Sequence, residues 1–305
     1  MEPWHAMTGG REVGGIGMRN KPATGAILEA RKRDPARLLD ILACPQCGGH
    51  PLDLRNGAMT CPDCRRSYEV LQGVPVLREG TANLMPEDHV SNPIERRDVI
   101  ARLATLDGYS LNLGAGSTDY IIPSSVELEY NVFRNTDVAA DAHHLPFRDS
   151  VFEAVVSFNT FEHLYDPPVA AREIYRVLKP GGRLLLQTAF IQPLHEEPHH
   201  YYNVTEYGLR HWFSDFQIER CTAPDNLNAT LALGWLSTEI LYRVELALGS
   251  DVSKALGATT LDQWRGLWGN REGRAGLIWE VMKRLPDDVQ KRFSQGLELD
   301  AVKPL

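Results

Sequence analysis

The 305-residue sequence has no long uncharged apolar run and no excess of basic residues. Its longest apolar stretch, residues 229–248, contains Glu239, Arg243 and Glu245, which is typical of a buried or interface helix and not of a membrane span. The net charge is −8, and residues 96–222 carry 11 Lys and Arg against 17 Asp and Glu. Because nucleic-acid binders present a basic face to phosphates, this composition disfavours a nucleic-acid partner.

The first twenty residues also lack the apolar core of a secretory signal and contain instead the run GGREVGGIG. Cysteine is scarce: four of the five cysteines form two CxxC pairs, and Cys221 stands alone. Without a secretory signal, this spacing favours a metal site over disulfides. We therefore expect a cytoplasmic protein.

The two CxxC pairs, CPQC and CPDC, are separated by thirteen residues. Each CxxC turn brings two thiolates to one ion, and two such turns complete a tetrahedral site. The intervening PLDLRNGAMT is typical of a hairpin with Asn56-Gly57 at its turn. We predict a zinc ribbon over residues 37–80, in which structural zinc replaces the core that so short a segment cannot build. Unmetallated thiols are the alternative, and the predicted ligands are Cys44, Cys47, Cys61 and Cys64.

Residues 38–77, LLDILACPQCGG through MTCPDCRRSYEVLQGVPVL, resemble the small zinc-ribbon subunit that activates several tRNA and protein methyltransferases in trans. The resemblance implies the same unit fused in cis. On either side of it we expect a disordered tail at 1–36 and a linker at 81–95.

From residue 109 the sequence alternates short apolar strands with turns. The strand candidates are YSLNL, VELEY, the start of VAADAHHLPF, the start of FEAVVSFNTFEHL, and RLLLQTAF, with a helix over Pro167–Lys179 capped by Asp166. Glycines after the first strand permit a sharp turn close to a ligand, and an acid at the end of the second can accept hydrogen bonds from ribose hydroxyls. This pattern predicts an α/β fold with a Rossmann-like sheet.

Residues 109–222 resemble the class I S-adenosylmethionine (SAM)-dependent methyltransferases, through LNLGAGS, LEYN, DAHHLPF, SFNTFEHLYDP and EIYRVLKPGGRLLL. The resemblance implies SAM as the cofactor and assigns residues to each part of it. These are Gly114, Ala115, Gly116 and Ser117 at the methionine end, Glu129 at the ribose, Asp141 and the amide of Ala142 at the adenine, and Asn159 and His163 beside the sulfonium.

Three features depart from that family pattern. Asn112 stands where an acid is usual and would bind the methionine ammonium without a charge, and Thr118 replaces a third glycine. The connections after Gly116 and after Tyr130 are too short for the usual crossover helices. We therefore expect one sheet face to need cover from the ribbon, the C-terminal segment or another subunit. His143 and His144, at the adenine end, are minor candidates for chemistry.

The stretch HEEPHHYY, residues 195–202, follows the fifth strand and should line the acceptor pocket. Three interpretations remain open. In the first, His195 or His199 is a general base, and Glu196, Tyr201 and Tyr202 contact the acceptor. In the second, His195, Glu196, Glu197 and His199 bind a metal. In the third, the loop is a polar lid. Similar HxxPHxYYxxT loops occur in methyltransferases of polysaccharide and natural-product synthesis, which implies O-methylation.

The sequence therefore predicts a SAM-dependent O-methyltransferase acting on a small molecule or glycan. Methylation of RNA or protein recruited by the ribbon is one alternative, and a non-catalytic SAM-fold scaffold is another. A short helix after Thr205, a sixth strand at FQIERC and C-terminal helices at 228–248, 260–268 and 274–285 complete the prediction. The region 223–305 would form a helical extension that serves as a cap, a homodimer surface or a pocket wall.

Overall fold

The computed structural model describes residues 33–86, 96–118, 120–269 and 274–299. These residues contain a nine-stranded sheet of order β1-β2-β3-β4-β7-β6-β5-β8-β9. Strands β1 to β4 pair as antiparallel neighbours, and all later pairings are parallel. The strands are β1 (Asp53–Arg55), β2 (Ala58–Thr60), β3 (Ser67–Leu71), β4 (Val74–Leu77), β5 (Tyr109–Leu113), β6 (Ser125–Glu129), β7 (Val138–Ala140), β8 (Phe152–Phe158) and β9 (Leu178–Gln187). The α/β class is confirmed.

The ribbon hairpin forms as its turn residues predict. β1 and β2 are joined by Asn56 and Gly57, whose φ angles of 51° and 75° are those of a turn with two left-handed residues. Asparagine and glycine tolerate this conformation, which most side chains resist.

The ribbon extends the parallel sheet. Val76 of β4 pairs with Ala139 of β7, so ribbon strands and Rossmann-like strands share one sheet. The first described residues of the expected linker also join it, because Leu84 forms a parallel bridge to Val132 and the Met85 amide donates to the Val132 carbonyl. Residues 81–86 therefore contain a segment that pairs with the sheet region at Val132 and are not an unattached linker. Residues 87–95 lie outside the described residues.

The segment before the first CxxC packs into the core of the sheet. Leu38, Ile41 and Leu42 are at most 2% exposed and belong to the same apolar cluster as Phe147 and Phe152. The Ala43 amide donates to the Pro146 carbonyl at 2.9 Å, and the Arg148 amide donates to the Ile41 carbonyl at 3.0 Å. The ribbon therefore covers the sheet where no helix connects β7 to β8.

The expected disordered tail ends earlier than residue 36. Asp34 caps a 3-10 helix at Pro35–Leu38, and the Arg33 guanidinium donates to the Phe133 carbonyl at 2.8 Å. Arg37 pairs with buried Asp137 at 2.6 Å, which adds a charged contact between ribbon and sheet. The expectation was wrong for residues 33–36, because these contacts order them, and residues 1–32 lie outside the described residues.

Helix α1 (Arg97–Ala104) packs Val99 and Leu103 on the opposite sheet face, against Val156 and Phe158. The crossovers after β5 and β6 are short, and Ile122 of the first belongs to the same cluster. The Asn135 amide donates to the Thr118 carbonyl at 2.7 Å and so ties the two loops together. Ribbon residues Val74 and Val76 share a further buried cluster with Val132 of the second crossover and with Ala139. The ribbon therefore contributes cover on this face, which is one of the expected possibilities.

Helix α2 (Pro167–Val177) confirms the predicted helix but ends two residues early, and β9 begins at once. Pro180 explains the difference, since it disfavours helical geometry at the preceding residue. The Asp166 carboxylate accepts from the Val169 amide as predicted. Helix α3 (Glu206–Trp212) begins after Thr205, whose hydroxyl accepts from the Gly208 amide.

The predicted strand at FQIERC is absent: residues 216–221 are irregular. Phe216 and Ile218 nevertheless pack against the core, so the apolar alternation reflects packing without a strand partner.

The C-terminal region is helical, as predicted. Its elements are α4 (Ala229–Leu248), α5 (Ser250–Gly257), α6 (Leu261–Gly269), α7 (Leu277–Lys283) and α8 (Asp287–Lys291). Val244, Leu256, Ile278, Val281 and Leu285 form a separate apolar cluster. Among the residues that the structure describes, no helix has the length and apolar character needed to cross a membrane.

Candidate functional site

The four ribbon cysteines converge on one point. Their Sγ atoms all lie within 4.8 Å of one another, with 3.7 Å between Cys44 and Cys64 and 3.5 Å between Cys47 and Cys61. Sulfurs bound tetrahedrally to zinc at about 2.3 Å would be about 3.8 Å apart. The donor set and its spacing therefore fit a structural zinc ion.

Groups around the cysteines hold them in place. The Gly49 amide donates to Cys47 Sγ at 3.4 Å, and the Tyr68 hydroxyl lies 3.1 Å from Cys44 Sγ. A Cβ atom on Gly49 would come within 2.8 Å of Cys61 Sγ, so this position requires glycine. Burial opposes ionisation of Cys44, but hydrogen bonds, first that from Tyr68, lower its pKa to about 7.

The glycine-rich turn after β5 lies against the loop after β8. Gly114 has a φ of 73°, and a Cβ atom there would lie 2.0 Å from Thr160 Oγ1. Gly116 also has a positive φ, of 63°. Ala115 between them is buried, and Ser117 follows the turn. Glycine is therefore needed at 114 for both backbone and space.

Glu129 ends β6 beside this turn. Its carboxylate accepts from the Gly116 amide at 2.6 Å and from the Tyr130 amide at 3.1 Å. Burial raises its pKa to about 7, although both amides favour the ionised form. The carboxylate thus lies at the carboxyl end of a central parallel strand, where open α/β sheets bind ligands.

Asp141 follows β7 and is already partnered. Asp141 Oδ1 accepts from the His143 ring at 2.6 Å and from the His143 amide at 2.9 Å. Burial opposes ionisation, but these bonds lower the pKa of Asp141. The second ring nitrogen of His143 accepts from the Asp166 amide at 3.2 Å, so both nitrogens hold structure and the minor catalytic role for His143 is wrong. Ala142, which lies between Asp141 and His143 in the sequence, is buried.

Asn112 lies inside the sheet. It is 2% exposed, and its amide nitrogen donates to Glu127 at 2.6 Å. That nitrogen therefore belongs to a buried polar network. Asn159 follows β8 with a φ of 53°, and its amide donates to the Gln187 carbonyl. The predicted cofactor residues thus gather at the carboxyl ends of β5, β6, β7 and β8.

The HEEPHHYY loop docks on the segment that follows β8. The Tyr201 amide donates to the Glu162 carbonyl at 2.8 Å, and the Tyr202 hydroxyl donates to the Tyr165 carbonyl at 3.2 Å. The His163 ring bonds the His199 carbonyl at 3.0 Å. The loop therefore lies beside the predicted sulfonium end.

The four residues proposed as a metal site within this loop do not converge. Glu197 forms an ion pair with Arg292, and Glu196 is exposed with a φ of 51°. His199 Nδ1 lies 3.4 Å from the Tyr201 hydroxyl. His195 instead approaches Glu162 and His163, whose ligand-type atoms lie within 4.8 Å of its own. The metal interpretation with that set of residues is wrong, since an arginine occupies one carboxylate.

Two residues of the site escaped sequence reasoning. Glu162 is fully buried, and its only sequence signal is a carboxylate between Phe161 and His163 in FEHL. Burial raises the pKa of Glu162 and lowers that of His163, while burial and neighbouring histidines lower the pKa of His200 to about 4. Arg292 also donates to the Leu194 carbonyl at 2.9 Å from 98 positions away, a contact with no local signal.

Comparison with known proteins assigns both parts of the chain. Residues 98–186 match the family model for a methyltransferase domain, and residues 36–73 match that for Trm112p-like proteins. The chain joins a Trm112p-like domain to a methyltransferase domain. Both resemblances drawn from the sequence motifs are thereby confirmed.

Curated methyltransferases are similar to this chain over short segments. The ubiquinone/menaquinone biosynthesis C-methyltransferase UbiE of Haemophilus ducreyi is 39% identical over 72 residues, covering 24% of this chain and 27% of the relative. The demethylmenaquinone methyltransferase of Streptomyces griseus is 44% identical over 55 residues, 18% and 24% of the two chains. The chain thus spans about a quarter of the length of these relatives.

This chain is also similar to a solved structure whose description names both Trm112 and a methyltransferase. A chain from the complex of the Haloferax volcanii Trm112 methyltransferase activator is 21% identical, covering 45% of this chain and 80% of that chain with a TM-score of 0.31. The domain assignment rests on the two sequence matches.

Proposed function

We propose that this protein transfers a methyl group from SAM to an oxygen of a small-molecule or glycan acceptor. The observation that carries the proposal is the tie between Glu129 and the Gly116 amide at the strand ends of a methyltransferase domain. It places a carboxylate, which can accept hydrogen bonds from ribose hydroxyls, beside a glycine turn that leaves room for the chain attached to the ribose.

The residues of the chain would divide the work of binding. Glu129 accepts from the ribose hydroxyls, Asp141 and the Ala142 amide hold the adenine edge, and the turn at 114–117 borders the methionine end. SAM supplies an electrophilic methyl group when bound. The remaining task for the protein is to align an acceptor atom with that methyl group, because positioning alone lowers the barrier substantially.

His199 is the proposed general base. Its imidazole would accept the hydroxyl proton of the acceptor as that oxygen is methylated. The backbone of His199 is held by His163, and Tyr201 lies beside its ring. We prefer it to His195, whose Nδ1 bonds the Pro193 carbonyl and whose ring faces a buried carboxylate. Glu196, Tyr201 and Tyr202 would contact the acceptor.

Carbon methylation is the second candidate, favoured by the C-methyltransferase relative. Recruitment of RNA or protein by the ribbon has less support, since the ribbon packs Leu38, Ile41 and Leu42 into the common core. A non-catalytic scaffold also has less support, because the Glu129–Gly116 contact is intact.

The experiment is a screen of hydroxylated small molecules and glycans with methyl-labelled SAM. We expect labelled product whose methyl group is released by ether cleavage, and His199→Ala should lower turnover about 10²–10⁴-fold with unchanged SAM affinity. A product with an uncleavable carbon–methyl bond would favour the second candidate. Absence of SAM binding by calorimetry would contradict the proposal.

A further inference from the structure

Beside the proposed acceptor loop, one buried carboxylate and two imidazoles face each other. We infer that Glu162, His163 and His195 bind a divalent transition-metal ion. Each offers one ligand atom, and these atoms lie within 4.8 Å of one another. Ligands bound at about 2.0–2.2 Å to a common ion are about 3–4 Å apart, so small side-chain rotations would complete the site.

The two histidines are held in the tautomer that a metal requires. His163 Nδ1 bonds the His199 carbonyl at 3.0 Å, and His195 Nδ1 bonds the Pro193 carbonyl at 2.9 Å. Because a carbonyl only accepts, each Nδ1 must carry the proton. Each Nε2 therefore has its lone pair free. A backbone carbonyl behind a metal-binding histidine is the usual arrangement in metalloproteins.

The carboxylate of Glu162 is also held in place by a hydrogen bond. Glu162 Oε2 accepts from the Thr188 hydroxyl at 2.8 Å, which fixes the side chain. Glu162 Oε1 is buried and has no hydrogen-bond partner among the described residues. A buried polar atom without a partner is costly, and a cation would satisfy it.

A third imidazole, that of His200, lies beside these ligands. The His195 amide donates to His200 Nδ1 at 3.2 Å, so the proton of the His200 ring lies on Nε2. That nitrogen is buried and has no partner within the described part of the chain. It can donate to an oxygen bound by the ion, either water or an acceptor. His200 is therefore a positioning residue here and not a ligand.

Two nitrogens and one oxygen suit first-row divalent ions such as Zn²⁺, Fe²⁺ or Co²⁺ and leave positions open for a ligand. An ion there would hold an acceptor oxygen and ease loss of its proton. This role, unlike the site itself, rests on the proposed function. The site also differs from the cysteine cluster, which has four sulfur donors and no open position.

The test measures metal binding without SAM or acceptor. Untagged chain, with its cysteine site filled by zinc, is dialysed against Co²⁺ and then analysed for both metals. We expect about one cobalt per chain, with an absorption spectrum of nitrogen and oxygen ligands that lacks thiolate charge transfer. Glu162→Gln and His195→Asn should each weaken cobalt binding at least tenfold.

Controls separate this outcome from misfolding and from failure of the methyltransferase proposal. His144→Ala removes an exposed histidine and should leave cobalt binding unchanged. Zinc content and the melting curve of each variant report folding, and His195→Asn is the milder change because His195 is only partly buried. Wild-type protein without bound cobalt, or folded variants that bind it as well as wild type, would overturn the inference. SAM calorimetry on the same samples tests the methyltransferase proposal separately.

Discussion

Removing the Leu42 side chain should destabilise the whole fold and not the ribbon alone. Leu42 is fully buried in the cluster that contains Phe147 and Phe152, and it forms a backbone bridge to Phe147. Leucine-to-alanine changes in such cores cost about 2–5 kcal/mol through lost burial and a residual cavity. A loss of this size is a large part of the stability of an ordinary domain, roughly 5–15 kcal/mol.

The assay follows guanidinium unfolding by circular dichroism and by zinc release to a chelating dye. In Leu42→Ala both transitions should move together to lower denaturant concentration. Leu297→Ala is the matched control, because Leu297 is 78% exposed and the change should cost less than about 0.5 kcal/mol. If zinc release moved while the main dichroism transition stayed in place, the ribbon and the sheet would not share a cooperative core, and the reasoning would be refuted.

Three further changes test the site. Gly114→Ala should weaken SAM binding at least tenfold in calorimetry, because the added Cβ would overlap Thr160. Gly181→Ala is its control: Gly181 also has a positive φ, but a Cβ there meets open space, so SAM affinity should not change. Cys47→Ser should remove zinc in metal analysis, and Cys221→Ser should not. Arg292→Gln should raise the acceptor KM several-fold with unchanged SAM affinity, since it frees Glu197 and the acceptor loop.

Local patterns predicted much of this architecture. Asn56-Gly57 specified a hairpin, Asp166 with the prolines after it specified the start of α2, and glycines after β5 specified the turn. Each rests on backbone preferences of a few neighbouring residues. That is why these elements, and the four converging cysteines, could be predicted without a structure.

Long-range contacts could not be predicted in this way. The contact of Leu42 with Phe147 joins residues over 100 positions apart, and Arg292 reaches Glu197 across 95 positions. The metal interpretation failed for the same reason. Neighbours in the sequence HEEPHHYY point in different directions, and the carboxylate that meets His195 comes from Glu162, in the loop after another strand. Sequence spacing identified the chemistry of this loop but not its partners.

The pH dependence of SAM binding tests the assignment of Glu129. Burial raises the pKa of the ligand-free carboxyl to about 7. Ribose hydroxyls that donate to it favour the ionised form, so the complex holds fewer protons than the free protein near neutrality. By linkage, affinity must then rise as pH rises through 7 and level off above it, with about a tenfold gain between pH 6 and pH 8.

Two variants separate this effect from other titrations. Glu129→Gln should bind SAM weakly and without that pH dependence in calorimetry, since the titrating group is gone. Asp141→Asn should weaken binding but keep the slope, because hydrogen bonds from His143 already hold the pKa of Asp141 below its ordinary value. A slope that persists in Glu129→Gln would show that another group governs the binding. In that case the carboxylate at the end of β6 would not contact the ribose.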